Sequence, residues 1–135
     1  MRRRWVAWLV LLALAAGCGS SPDTSIKKHL LRGVAQIRAT RDRAELHAKL
    51  VRTLASLRRD RASTAAERRA RTLAIEGFEA TLKGVRSELD FVENDSGNVA
   101  AATRDARRAD RYLALGADRL RAAGAALGIR IGRLS

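Results

Sequence analysis

The fold is decided by the stretch IEGFEATLKGVRSELDFV, Ile75–Val92, in which large apolar residues recur with a helical period. Successive members of this set are separated by three, four, three, four and three positions. The set consists of Ile75, Phe78, Leu82, Val85, Leu89 and Val92. Residues at this spacing share one face of an α-helix. The pattern therefore predicts a long amphipathic helix with one buried face.

A turn-forming cluster, NDSGN at 94–98, follows this helix, and a second helical pattern begins after it. Its apolar and small residues again recur every three or four positions. They are Val99, Ala102, Ala106, Ala109, Leu113, Gly116, Leu120, Ala123 and Leu127. Two long helices joined by a short turn are expected to pair as an antiparallel hairpin, which we place at 65–93 and 99–131. The many alanines would let the two helices approach closely.

The segment before the hairpin carries two further apolar stripes that are out of phase with each other. The first stripe is Ile26, Leu30, Val34 and Ile37, and the second is Leu46, Leu50, Leu54 and Leu57. The nine-residue step from Ile37 to Leu46 turns an ideal helix by about 900°, half a turn out of phase. Asp42 followed by Glu45 fits a helix cap, which favours a break near 40–43.

These patterns together predict an all-α fold, with no alternating strand pattern in the sequence. We expect an elongated antiparallel three-helix bundle, or four helices if the first stretch breaks near 40–43. The connector RRDRAST, Arg58–Thr64, precedes the hairpin, and Thr64 with Glu67 fits a capping box. The bundle domain is placed at 26–135. Few large apolar residues are available, so we expect modest stability and some tendency to self-associate.

The N-terminus has the features of a secretory signal. Arg2, Arg3 and Arg4 precede an uncharged apolar run, Trp5–Ala16, and small residues surround Cys18. A charged start, a short apolar region and small residues at its end are typical of export signals. The run is too short to cross a bilayer core of about 30 Å as a helix.

The segment Leu14-Ala15-Ala16-Gly17-Cys18 resembles the lipobox of bacterial lipoprotein precursors, with Ala15 at the position where leucine is commonest. The resemblance covers residues 1–19. It implies that residues 1–17 are a signal peptide, that the Cys18 thiol receives a diacylglyceryl group, and that cleavage precedes Cys18. Residues 18–25 would then be the lipidated cysteine and a tether to the bundle. The location implied is extracytoplasmic, with the protein lipid-anchored to a bacterial membrane.

Charge is high and unevenly distributed. The 135-residue chain has a net charge of +13. Residues 18–71 contain fourteen Lys or Arg and five Asp or Glu, whereas residues 72–135 contain ten and nine. A GC-rich genome would explain the preference for arginine over lysine, but it would not explain this asymmetry.

No catalytic constellation stands out in the sequence. His29 and His47 are the only histidines, and neither has a metal-type partner three or four positions away. Gly116, Gly124, Gly128 and Gly132 are spaced like residues of a close helix contact, and they do not form a phosphate-binding loop. We therefore expect no enzyme, no metal site and no cofactor.

One group of residues is a candidate site for anions or partners. It lies within fourteen positions and consists of Arg58, Arg59, Arg61, Arg68, Arg69 and Arg71. Guanidinium groups bind phosphates in bidentate fashion. Candidate partners are anionic lipids, anionic envelope polymers and envelope proteins. The alternative is a solvated helix end, partly neutralised by nearby acidic residues.

Two functional interpretations follow from these observations. The first is a lipid-anchored cell-envelope protein of structural or interaction type. The second is a basic, helical, nucleic-acid-associated cytosolic protein, although the scarcity of aromatic residues argues against single-strand binding. In the three-helix arrangement of the first interpretation, the Arg58–Arg71 region would lie far from the membrane and Asn94–Asn98 near it.

Overall fold

The computed structural model describes residues 24–93 and 97–134. Within these residues the chain is all-α and forms four packed helices, which confirms the predicted fold class. The helices are α1 (Ser25–Ala39), α2 (Arg43–Arg59), α3 (Ala65–Glu93) and α4 (Val99–Ala126). The predicted signal peptide, Cys18 and most of the tether lie outside the described residues.

The first stretch breaks where the phase of its apolar stripe changes. Helix α1 ends at Ala39, and the backbone of Thr40 is extended. Asp42 is the N-cap of α2, and its side chain accepts a hydrogen bond from the Glu45 backbone N–H at 2.7 Å. The cap satisfies one of the backbone donors that the start of a helix leaves unpaired. The four-helix alternative is therefore the correct one.

Helices α1 and α2 form an antiparallel hairpin. Three side-chain hydrogen bonds join the two segments. From the first to the third bond, the residue number rises along α1 and falls along α2. They are His29–Asp60 at 2.6 Å, Gln36–Thr53 at 2.8 Å and Thr40–Lys49 at 3.3 Å. The end of α2 therefore lies beside the beginning of α1.

A core formed by all four helices holds the bundle together. Phe78 of α3 is fully buried, and its ring lies directly against Gly33 of α1. A Cβ atom placed on Gly33 would lie 2.2 Å from Phe78 Cζ. The ring can occupy this position only because α1 has no side chain at residue 33.

Helices α3 and α4 make the most extensive pairing in the bundle, and small residues set their separation. Leu120 fills the space that the missing side chain of Gly77 leaves, and Leu113 does the same at Gly84. Gly116 lies against the Gly77 carbonyl, and a Cβ there would be 2.9 Å from that oxygen. The close approach expected from the small residues of α4 is confirmed, and glycines of α3 contribute equally.

The predicted buried stripes extend further than the real core. Val92 is 70 % exposed and Val99 is 78 % exposed, although both were assigned to buried faces. Arg43, at the start of α2, forms an ion pair with Glu88 at 2.8 Å. Residues after Glu88 on α3, and their partners on α4, therefore extend beyond α1 and α2. This hairpin tip has no third helix to cover it.

The second helix of the hairpin is shorter than predicted. It ends at Ala126 and does not continue to residue 131. Gly128 adopts a left-handed conformation with φ +70°, and the Ile129 N–H donates to the Gly124 carbonyl at 2.8 Å. This geometry is a Schellman-type helix end, which glycine favours because it lacks a Cβ. The following residues fold back, and Ile131 packs against Gly124.

Candidate anion-binding surface

The connector between α2 and α3 is held by its own polar side chains. Glu67, which is buried, accepts hydrogen bonds from the Ser63 hydroxyl at 2.8 Å, the Ser63 N–H at 2.6 Å and the Thr64 N–H at 3.1 Å. The Thr64 hydroxyl in turn accepts from the Glu67 N–H at 3.1 Å. The predicted capping box is confirmed. These bonds, led by the Ser63 hydroxyl, hold the pKa of Glu67 below its ordinary value.

A contact with α1 fixes where this connector lies in the bundle. His29 Nδ1 lies 2.6 Å from Asp60 Oδ2, and the two side chains are 17 % and 9 % exposed. Asp60 is the C-cap residue of α2, and His29 belongs to the first turns of α1. The connector therefore lies beside the start of α1, and its predicted placement at the opposite end is wrong. That placement assumed one continuous first helix, whereas the break at 40–42 turns α2 back.

Three of the six candidate arginines make contacts within the bundle. Arg58 forms an ion pair with Glu79 at 2.6 Å. Arg71 donates from Nε to the Leu57 carbonyl at 3.1 Å and from a second nitrogen to the Arg58 carbonyl. Arg68 donates to the Ser63 carbonyl at 3.4 Å. Arg71 thus donates to two carbonyls in the last turn of α2, where a helix leaves backbone acceptors without their usual i+4 donors.

The charges of the other three arginines are not paired within the described part of the chain. Arg59, Arg61 and Arg69 are exposed, and none forms an ion pair or hydrogen bond with the rest of the described chain. Lys28, on the first turn of α1, is exposed at the same end of the bundle. We call Lys28, Arg59, Arg61 and Arg69 the tether-side surface, because α1 begins where the predicted tether ends.

This end of the molecule is strongly positive. Residues 24–32 and 58–72 contain nine Lys or Arg against two acidic residues, a net charge of +7. Both acidic residues are already engaged, Asp60 by His29 and Glu67 by the connector. The tether-side surface is therefore free to bind external anions, and guanidinium groups suit phosphate oxygens in particular.

Other features of the described residues lie away from this surface. A shallow groove of about 430 Å³ lies at the hairpin tip, between Phe91, Val99 and Ala106. Within residues 24–93 and 97–134 no group of three His, Cys, Asp or Glu side chains is arranged to hold a metal ion. None of the helices described is both long enough and apolar enough to cross a membrane.

No family model, curated protein or solved structure matches the chain.

The sequence pointed to the six arginines as a group. It did not show which of them make contacts within the bundle and which remain exposed without a described partner. The partner of Arg58 is Glu79, 21 positions away in the chain, and the partner of Arg71 is Leu57, 14 positions away. The role of His29 was also missed, because its partner Asp60 lies 31 positions along the chain. The sequence signal for this surface was a cluster of arginines in a connector next to a helix end. Such a cluster does not indicate which side chains lack ion pairs in the folded chain.

Proposed function

We propose that this chain is an extracytoplasmic lipoprotein, a helical bundle held at a bacterial membrane by acyl chains on Cys18. The observation that supports the proposal is the position at which the first described helix begins. Thr24 caps α1 by accepting a hydrogen bond from the Lys27 N–H at 3.3 Å, and it lies six positions after Cys18. All four described helices lie after Cys18, as a lipoprotein requires of the part that it keeps.

The described core is compatible with the removal of residues 1–17. Its buried residues extend from Ile26 to Ile131, and all four helices contribute to it. A leader that is removed before Cys18 would therefore take none of these core residues with it, and the mature chain would retain 118 of the 135 residues.

The role of the anchored bundle is structural or interactive, and its partners are envelope components. Its described surface is rich in arginine, and three of these arginines at one end have no partner in the fold. Anionic lipids, anionic envelope polymers and envelope proteins are the partners that such a surface would recognise. A cytosolic, nucleic-acid-associated protein remains the competing proposal, and it requires that residues 1–17 are retained.

Expression of the full chain with a C-terminal tag in a bacterial host tests the proposal. We expect the native chain to enter the detergent phase on phase separation, and the Cys18→Ser variant to remain unprocessed. Ser20→Ala, two positions away, is the matched control and should behave as the native chain does. Recovery of the native chain and the Cys18→Ser variant together in the cytosolic fraction would contradict the proposal.

A further inference from the structure

The break at 40–42 brings two features of the chain to the same end of the bundle. One is the start of α1, where the tether from Cys18 joins the fold. The other is the α2–α3 connector, which the His29–Asp60 contact fixes beside α1. The six positions from Cys18 to Thr24 reach at most roughly 20 Å. A protein anchored through Cys18 would therefore hold this end within reach of the lipid headgroups.

We propose that the tether-side surface, formed by Lys28, Arg59, Arg61 and Arg69, binds the phosphate groups of anionic lipids in the membrane that holds the anchor. The proposal rests on the lipid anchor proposed above. It adds a second attachment, which fixes the orientation of the bundle. The α1 end faces the bilayer, and the hairpin tip with Phe91, Val92 and Val99 points away from it.

The four basic residues of the tether-side surface occur on successive elements at one end of the bundle. Lys28 lies on α1, Arg59 on the last turn of α2, Arg61 in the connector and Arg69 on the second turn of α3. Each basic residue close to an anionic membrane surface raises the binding constant by about fivefold. Covalent tethering keeps the local lipid concentration high, so a few such contacts suffice to orient the protein.

The positions of the aromatic residues argue for lipid over single-stranded nucleic acid. Among the described residues Phe78 is buried in the core, Phe91 lies near the hairpin tip, and Tyr112 lies on α4 beside Lys83. No described aromatic side chain therefore lies in the tether-side surface to stack on bases. Duplex nucleic acid, which is bound largely through its phosphates, remains to be separated by experiment.

Energy transfer in reconstituted vesicles tests the orientation directly. Ala66→Cys on the first turn of α3 and Ala100→Cys on the first turn of α4 are exposed labelling positions. They are separated by about 40 Å along α3, at the helical rise of about 1.5 Å per residue. Each full-length variant carries a donor dye and is placed in vesicles with an acceptor on the headgroups. The vesicles are pure phosphatidylcholine, or equal parts phosphatidylcholine and phosphatidylglycerol.

We expect strong transfer from residue 66 and weak transfer from residue 100 in vesicles that contain phosphatidylglycerol. Joint Arg59→Gln, Arg61→Gln and Arg69→Gln substitution should lower the ratio of docked to undocked protein on the order of a hundredfold. The matched control is Arg104→Gln, Arg107→Gln and Arg111→Gln, which removes the same charge from exposed positions of α4. That control should change the ratio by less than about threefold.

Three results would overturn the proposal. One is equal transfer from the two labelling positions. Another is an equal effect of the two triple variants, which would show that only net charge matters. The last is duplex DNA binding that the first triple variant abolishes while vesicle docking is unchanged, which would assign the surface to nucleic acid.

The same experiment reveals failure of the anchor separately. A chain with lipid on Cys18 has one thiol to label, whereas a chain without lipid has two. If two thiols react, docking is measured with Cys18→Ser combined with Ala66→Cys in the same vesicles. The two triple variants then decide the role of the surface without any anchor.

Discussion

His29 Nδ1 in α1 and Asp60 Oδ2 at the end of α2 lie 2.6 Å apart, although 31 positions separate them in the chain. The contact closes the α1–α2 hairpin at the end opposite its turn. It also places the arginine-rich connector next to the start of α1. The orientation proposed for the bundle at a membrane depends on this one relationship.

Loss of the Asp60 carboxylate should therefore destabilise the bundle. Asp60→Ala leaves the partly buried His29 ring without its partner, and we expect a loss of about 1–3 kcal/mol in the free energy of unfolding. Urea denaturation followed by circular dichroism measures it. Asp118→Ala is the control, because Asp118 is 70 % exposed and its one ion pair within the described part of the chain is with Arg121, so its loss should cost less than about 1 kcal/mol. Equal losses would contradict a special role for the His29–Asp60 contact.

The contact between Gly33 and Phe78 predicts a specific coupling. Gly33→Ala should destabilise by about 1–3 kcal/mol, since the new methyl group would overlap the buried ring. Phe78→Leu removes the ring atoms that approach Gly33. The double variant should lose less stability than the sum of the two single losses, by more than about 0.5 kcal/mol. Strict additivity in a double-mutant cycle would show that the ring does not rest on Gly33.

For Gly116 we expect substitution by alanine to lower stability, the opposite of the change that helix propensity alone predicts. At an exposed helical position Gly→Ala stabilises by about 0.5–1 kcal/mol. At Gly116 the added methyl group would lie 2.9 Å from the Gly77 carbonyl oxygen and 3.0 Å from the Thr81 nitrogen, so α3 and α4 must separate. We expect Gly116→Ala to lower the thermal midpoint.

The exposed residue Ala114, on the same helix, calibrates that result. Ala114→Gly should also lower the midpoint, by the propensity term alone. If Gly116→Ala raised the midpoint, the two helices would not be in the close contact described.

Glu67 predicts an acid-dependent loss of stability. Its pKa is lowered in the fold, so its carboxylate stabilises the native state above the unfolded pKa, and this contribution is lost as the pH falls. Glu67→Gln should have a lower urea midpoint than the native chain at neutral pH. The difference should shrink below about pH 4, where the carboxyl group is protonated in the unfolded chain.

The control for this titration is Glu93→Gln, at the exposed end of α3. At neutral pH it should change the urea midpoint much less than Glu67→Gln does, because the Glu93 side chain is exposed and makes no ion pair or hydrogen bond with the described residues. A difference between Glu67→Gln and the native chain that stayed constant from neutral to acid pH would contradict the role assigned to the carboxylate.

Local signals in the sequence predicted most of the secondary structure. The cap at Asp42 and the capping box at Thr64 and Glu67 are short-range patterns, and the structure confirms them. Gly128 carried a signal for the end of α4 that was interpreted as helix packing. Glycine after the last apolar position of a helix favours a left-handed helix end, and this preference prevails here.

Relationships between distant residues could not be predicted in the same way. The phase change between Ile37 and Leu46 indicates a break, but it does not give the direction in which α2 leaves. The contact of Phe78 with Gly33 depends on that direction, as does the His29–Asp60 pair. The free arginines of the candidate surface follow from the same packing, since Arg58 and Arg71 are engaged only because α2 and α3 meet.

We propose a bundle that is anchored to the membrane through Cys18 and whose basic end faces the bilayer. Intact-mass measurement of the tagged full-length chain, extracted from bacterial membranes, is the decisive test of lipid attachment at Cys18. We expect a chain that begins at Cys18 and is heavier than its residues by at least one diacylglyceryl group. A chain that still begins at Met1 and has an unmodified cysteine would contradict it.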